Sequence, residues 1–110
     1  MTTNYRRGAD FERRVKADFE RHGFVAVRSA GSKTPADVYC FSAGEIVFVQ
    51  CKRDGRLSPD EWNTFWAYCQ RAGALPLLAK VGGSGRGIEY RRLTGRKEGR
   101  GRQPYEPWEI

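Results

Sequence analysis

The stretch Ile46-Val47-Phe48-Val49-Gln50-Cys51-Lys52 constrains this chain more than any other. A short run that is apolar at successive positions reads as a strand buried on both faces. Strand side chains alternate sides, so Ile46, Phe48, Gln50 and Lys52 share one face, and Val47, Val49 and Cys51 the other. Two polar side chains, one of them cationic, therefore end a strand that belongs in the centre of a sheet. A buried ammonium is costly without acidic partners. The rest of the chain has to supply them.

A length of 110 residues suits one domain with a modest core. The net charge of +7 is large for that size and favours nucleic acid over a membrane surface or an acidic protein. No run is long enough to cross a bilayer, and Met1 to Arg7 lacks the apolar centre of a signal peptide, so a cytoplasmic protein without membrane contact is expected. Cys40, Cys51 and Cys69 form no CxxC pair, and His22 is the one imidazole. That pattern argues against structural zinc and for small buried hydrophobes in a reducing compartment.

In chain order, Gly8 to His22 reads as a helix, with Phe11, Val15 and Phe19 at four-residue spacing and Gly23 as the stop. Glu12 falls on or beside that apolar stripe; it is either a partnered carboxylate or a boundary residue reaching solvent. Phe24 to Arg28 and Ala36 to Phe41 read as strands, joined by a loop of small and polar residues. The short turn Ser42-Ala43-Gly44 makes an antiparallel hairpin of the second strand with Ile46 to Lys52. In that hairpin Asp37 falls beside Gln50 and Lys52. Ser58-Pro59-Asp60-Glu61 opens a second helix, with Trp62, Phe65, Trp66 and Cys69 as its apolar stripe. Leu75 to Val81 is a further strand, and Ile88 to Leu93 alternates like an edge strand. From Arg86 to Arg102 there are seven Lys/Arg against two acids. Gly95 to Pro107 is rich in Gly, Arg and Pro and predicts a disordered tail, with a phosphate-binding arm favoured over a merely solubilising role. Trp108 in such a tail either docks back or meets a partner.

Helix, three strands, helix, two strands: this order brings Glu12, Asp37, Gln50 and Lys52 together. Phosphodiester hydrolysis uses a hard cation held by oxygen ligands with room for water. Asp37 and Glu12 supply carboxylates, Gln50 an amide oxygen and Cys51 its backbone carbonyl. Lys52 orients or deprotonates the attacking water and stabilises the charge that develops on phosphorus.

At these residues the sequence resembles a known group. Pro35-Ala36-Asp37 followed by Gln50-Cys51-Lys52 is similar to the motif of the PD-(D/E)xK nuclease superfamily. Tyr5-Arg6-Arg7-Gly8-Ala9, Phe11-Glu12-Arg13, His22-Gly23-Phe24 to Val27, and Arg28-Ser29-Ala30-Gly31-Ser32-Lys33 together resemble the archaeal Holliday junction resolvases and their phage and bacterial relatives. The likeness runs from about Tyr5 to Leu93 and is weaker through Arg71 to Ala79.

The resemblance implies an α/β domain with a restriction-endonuclease-like core, a mixed central sheet of about five strands flanked by helices. Residues 1–94 would be the nuclease domain and 95–110 a basic tail. It implies a homodimeric endonuclease, dependent on magnesium or manganese, that makes paired cuts at four-way DNA junctions. Glu12, Asp37 and Gln50 become metal ligands, Lys52 the catalytic lysine, and Ser32 a residue at the scissile region. Arg6, Arg7, Arg13, Arg28, Lys33 and Arg53 are the phosphate-contacting candidates. Gln50 departs from the pattern, since an acidic ligand is usual there. The dimer surface is not readable, although the Trp62–Trp66 helix is one candidate. Two alternatives keep the same fold: a nicking or flap-type nuclease, and an inactive DNA-binding protein.

Overall fold

The computed structural model describes residues 3–29, 31, 33–85 and 87–110. Helix α1 spans Asn4–Arg21. Its Thr3 cap accepts from the Arg6 N–H at 3.1 Å, so the helix begins four residues before the expected Gly8, and Arg6 and Arg7 ride on it. Phe11, Val15 and Phe19 are all buried. Helix α2, Pro59–Ala72, carries a full capping box: Glu61 N–H to Ser58 Oγ, and Ser58 N–H to Glu61 Oε1, both 3.1 Å. It ends at Gly73, whose φ of 66° is open to glycine at little cost.

Strands β1 (Val25–Arg28), β2 (Val38–Ser42), β3 (Glu45–Cys51), β4 (Leu75–Val81), β5 (Ile88–Leu93) and β6 (Tyr105–Trp108) form one sheet in that order. β2 and β3 are the expected hairpin, with Val38 opposite Val49. β3 and β4 run parallel, and α2 is their crossover. All other neighbours are antiparallel. β3 is thus central, and its residues split between two cores. Val47 and Val49 pack with Phe11, Val15 and Phe19 of α1, while Phe48 packs with Trp62, Phe65 and Cys69 of α2.

Two expectations fail at the C-terminus. β5 is not the edge strand, and the segment after Thr94 is not disordered. β6 pairs with β5, Trp108 opposite Tyr90 and Tyr105 opposite Leu93, making six strands rather than about five. Trp108 stacks on Phe19 at 6.1 Å and meets Tyr90 edge-on at 6.0 Å. Local composition reads as tail because Gly and Arg dominate it; the pairing partner lies a dozen residues upstream, and composition carries no record of it. Pro107 is tolerated because β6 has a free edge.

Trp62 is fully buried, with its indole N–H donating to the Gly95 carbonyl at 2.9 Å, so it offers nothing to a dimer surface. Elsewhere the sheet is bare. Val25, Val27, Phe41 and Ile46 are 66%, 51%, 40% and 38% exposed. Val25 opposes Phe41, and Phe41 opposes Ile46, so they lie across β1–β3 on the α2 side of the sheet, beside the area that α2 covers. Among the described residues no helix is long and apolar enough to cross a membrane.

Candidate active site

The end of the β2–β3 hairpin opens into a cleft of about 500 Å³ lined by Glu12, Thr34, Pro35, Asp37, Gln50, Cys51, Lys52, Asp60, Glu61 and Thr64. The four side chains expected to converge are all there. Asp37 precedes β2 and continues its ladder: its N–H donates to the Val49 carbonyl at 2.8 Å, and Oδ2 accepts from the Cys51 N–H at 2.7 Å. The hairpin register thereby locks the carboxylate against the Gln50–Lys52 corner. A second network braces the Pro35 bend. Thr34 Oγ1 donates to the Ala36 carbonyl at 2.9 Å and accepts from the Tyr39 hydroxyl at 2.7 Å, which in turn meets the Tyr68 hydroxyl at 2.7 Å.

Glu12 projects from α1 beside the apolar stripe and is partnered. Its Oε1 accepts from Arg28 Nε at 2.8 Å, both side chains being mostly buried. Arg28, expected at phosphate, thus holds a cleft carboxylate in this structure. Lys52 is anchored through its N–H to the Ala79 carbonyl at 3.0 Å, and its Nζ lies 3.3 Å from Glu61 Oε2.

Electrostatically the site is short of positive charge at one point. Asp37 is only 8% exposed. Burial, reinforced by the nearby Glu12 charge, pushes its carboxyl from 3.8 up to about 6, against the pull of the Cys51 N–H, Lys52 and Arg28. Glu61 goes the other way: the Ser58 backbone N–H, then Lys52, hold it below its usual value. Burial pushes the Cys51 thiol up, and that side chain packs against the α1 core, leaving its carbonyl as the group of chemical interest.

The donor set suits a hard divalent cation: two carboxylates, an amide oxygen and a carbonyl, all oxygen, with the Asp37 carboxylate in want of positive charge. Among the described residues no three His, Cys, Asp or Glu side chains form a metal-holding group.

Of the other candidates, Arg6, Arg7, Arg13, Lys33 and Arg53 are exposed and do not line the cleft. Arg13 pairs with Asp10 at 3.1 Å. Ser32 lies outside the described residues. Reading the sequence alone missed Glu61, Asp60, Thr34 and Thr64. Glu61 had a signal, the capping box, but that signal reports a helix start and is silent about which strand end the helix faces.

A mixed sheet between two helices, with carboxylates, an amide and a lysine gathered at the strand ends, is a restriction-endonuclease-like fold. Comparison with known proteins narrows it. Residues 3–94 match the family described as archaeal Holliday junction resolvase (Hjc). The chain belongs to that family. It is 31% identical over 83 residues to the crossover junction endodeoxyribonuclease Hjc of Methanocaldococcus jannaschii, a match covering 72% of this chain and 62% of that relative's length. Its fold is similar to Archaeoglobus fulgidus Hjc, a Holliday junction resolvase from an archaeal hyperthermophile. The TM-score is 0.69 at 21% identity, over 84% of this chain and 80% of that one.

Proposed function

We propose that this chain is a metal-dependent endonuclease that resolves four-way DNA junctions by paired phosphodiester hydrolysis. The observation that carries the reading is the meeting of Glu12, Asp37, Gln50 and Lys52 in one open cleft. Magnesium, with manganese as its substitute, is the cation the oxygen donors fit. When bound it would polarise the scissile phosphate and activate water. Asp37, Glu12, Gln50 and the Cys51 carbonyl would hold it. Lys52, steered by Glu61, would orient the attacking water and counter the charge growing on the phosphate oxygens. Arg28 would hold the Glu12 carboxylate in place until the cation shares it. Arg6, Arg7, Arg13, Lys33 and Arg53 would meet the DNA backbone outside the cleft, with Ser32 at the scissile region. Residues 1–94 would be the nuclease unit and 95–110 its accessory. Such work belongs inside a cell, whether on its own or on phage DNA.

Paired cuts need paired sites, so the working form would be a two-fold homodimer. The bare apolar face of β1–β3 supports that assembly, since exposed patches of this kind mark contact surfaces.

The test is a panel of labelled substrates with the wild-type chain and Lys52→Ala. Wild type should nick a four-way junction symmetrically at the crossover and spare linear duplex. Lys52→Ala should lose cutting by at least about a hundredfold and keep junction binding. Equal cutting of linear duplex would remove the junction specificity; an active Lys52→Ala would remove the chemistry.

A further inference from the structure

The segment after Thr94 lies beyond the family match, and its path is fixed by an unusual number of side chains. Asn63 of α2 grips it twice: Oδ1 accepts from the Lys97 N–H at 2.7 Å, and Nδ2 donates to the Lys97 carbonyl at 3.0 Å. Lys97 is 8% exposed, and its ammonium turns inward to donate to the carbonyls of Gly99, at 3.0 Å, and Gly101. The Trp62 indole holds Gly95, and the Thr94 N–H donates to the Pro104 carbonyl at 2.9 Å, closing the base of the loop. Gln103 then bridges to the loop that follows Lys52, its Oε1 accepting from the Leu57 N–H and its Nε2 donating to the Gly55 carbonyl, both at 3.2 Å.

What this clamp displays is cationic. Arg96, Arg100 and Arg102 are exposed, and among the described residues none of them has an ion pair or hydrogen bond. Glu98 is the single acid in the loop. The bridged neighbour adds exposed Arg53 and Arg56. Both attachment points are close to cleft residues along the chain: Asn63 precedes Thr64, which lines the cleft, and Gln103 ties Gly55 and Leu57 in the segment leaving Lys52.

We propose that residues 95–102 form a prebuilt phosphate-binding loop flanking the active site, whose partner is the backbone of a duplex DNA arm leading away from the cleavage point. A tail kept only for solubility has no use for a buried lysine spent on its own carbonyls. Three unpaired guanidiniums, spaced by glycines that let a backbone come close, fit phosphate oxygens through their planar forks. Because folding has already ordered the loop, binding does not pay that entropy again. The DNA identity rests on the nuclease reading; the phosphate chemistry does not.

The experiment measures binding by fluorescence anisotropy across a salt series, without divalent metal so that nothing is cut. The probes are a four-way junction and a linear duplex of one arm's sequence. In the full chain, Arg96→Ala/Arg100→Ala/Arg102→Ala should weaken both probes about tenfold or more. It should lower the slope of log affinity against log salt by about 2 to 3, near 0.9 per phosphate lost. Its melting temperature should hold, because none of the three side chains makes a bond. Removing three arginines elsewhere, Arg21, Arg71 and Arg92, should leave the slope near wild type. Asn63→Ala keeps every charge and should weaken binding with little change in slope. A wild-type slope in the loop variant, or an equal fall in the control, would overturn the proposal. A normal loop effect in a chain that neither prefers nor cuts junctions would keep the loop and overturn the resolvase reading instead. Loss of binding to an acidic polypeptide with DNA binding intact would also count against it.

Discussion

At Asp37 the needs of folding and of the proposed chemistry pull apart. Its carboxyl sits at about 6 in the folded chain against an ordinary 3.8, chiefly through burial. A folded value above the unfolded one means that protonation stabilises the fold. The benefit is full below about pH 4, is lost as pH rises through about 6, and amounts to roughly 3 kcal/mol. In the proposed reaction a divalent cation would take the proton's place above pH 6. Magnesium should therefore raise the melting temperature clearly above pH 6 and little well below it. As a proposed ligand, Gln50 would set how strongly, by contributing an oxygen without a charge. Gln50→Glu should reach half the thermal shift at roughly tenfold less magnesium, affinity following ligand charge. An unchanged magnesium dependence in Gln50→Glu would show that Gln50 is not a ligand.

Each element of the fold does two tasks at once. β3 fills both cores with Val47, Phe48 and Val49, then ends on the cleft with Gln50 and Cys51. α1 buries its Phe11-Val15-Phe19 stripe and delivers Glu12 from the stripe's margin. α2 crosses from β3 to β4, and its capping glutamate meets Lys52. β6 covers β5 and seats Trp108 against Phe19 and Tyr90, close to where Tyr90 donates its hydroxyl to Asp18 at 2.7 Å. Trp108→Ala should cost about 2 kcal/mol in chemical denaturation, less than a fully buried aromatic because Trp108 is only partly buried. A variant as stable as wild type would mean that β6 is held by its ladder alone.

For the whole molecule, charge and apolar surface divide the labour. Most of the basic side chains are exposed, and under the proposed function the net +7 would draw DNA in. The uncharged patch of Val25, Val27, Phe41 and Ile46 is where a second copy would pack. Val27→Glu, placed on an exposed strand position, should leave the fold intact, shift the chain toward monomer in analytical ultracentrifugation and abolish paired cutting while single nicks persist. A dimer of wild-type strength in Val27→Glu would move the interface elsewhere.

The sequence alone determined the order of the elements, because apolar spacing, capping residues and glycine stops are local signals. It also determined which strand is central and that Asp37 falls beside Gln50 and Lys52, since a tight turn leaves one hairpin register; whether Glu12 joins them was left to the packing of α1. The tertiary structure decided the pairings that join distant segments. Arg28 holds Glu12, Glu61 steers Lys52, and Asn63 and Gln103 turn an apparent tail into a built loop ending in a sixth strand. Those contacts link residues brought together only by packing, and a polar side chain carries no local mark of the partner that packing will give it.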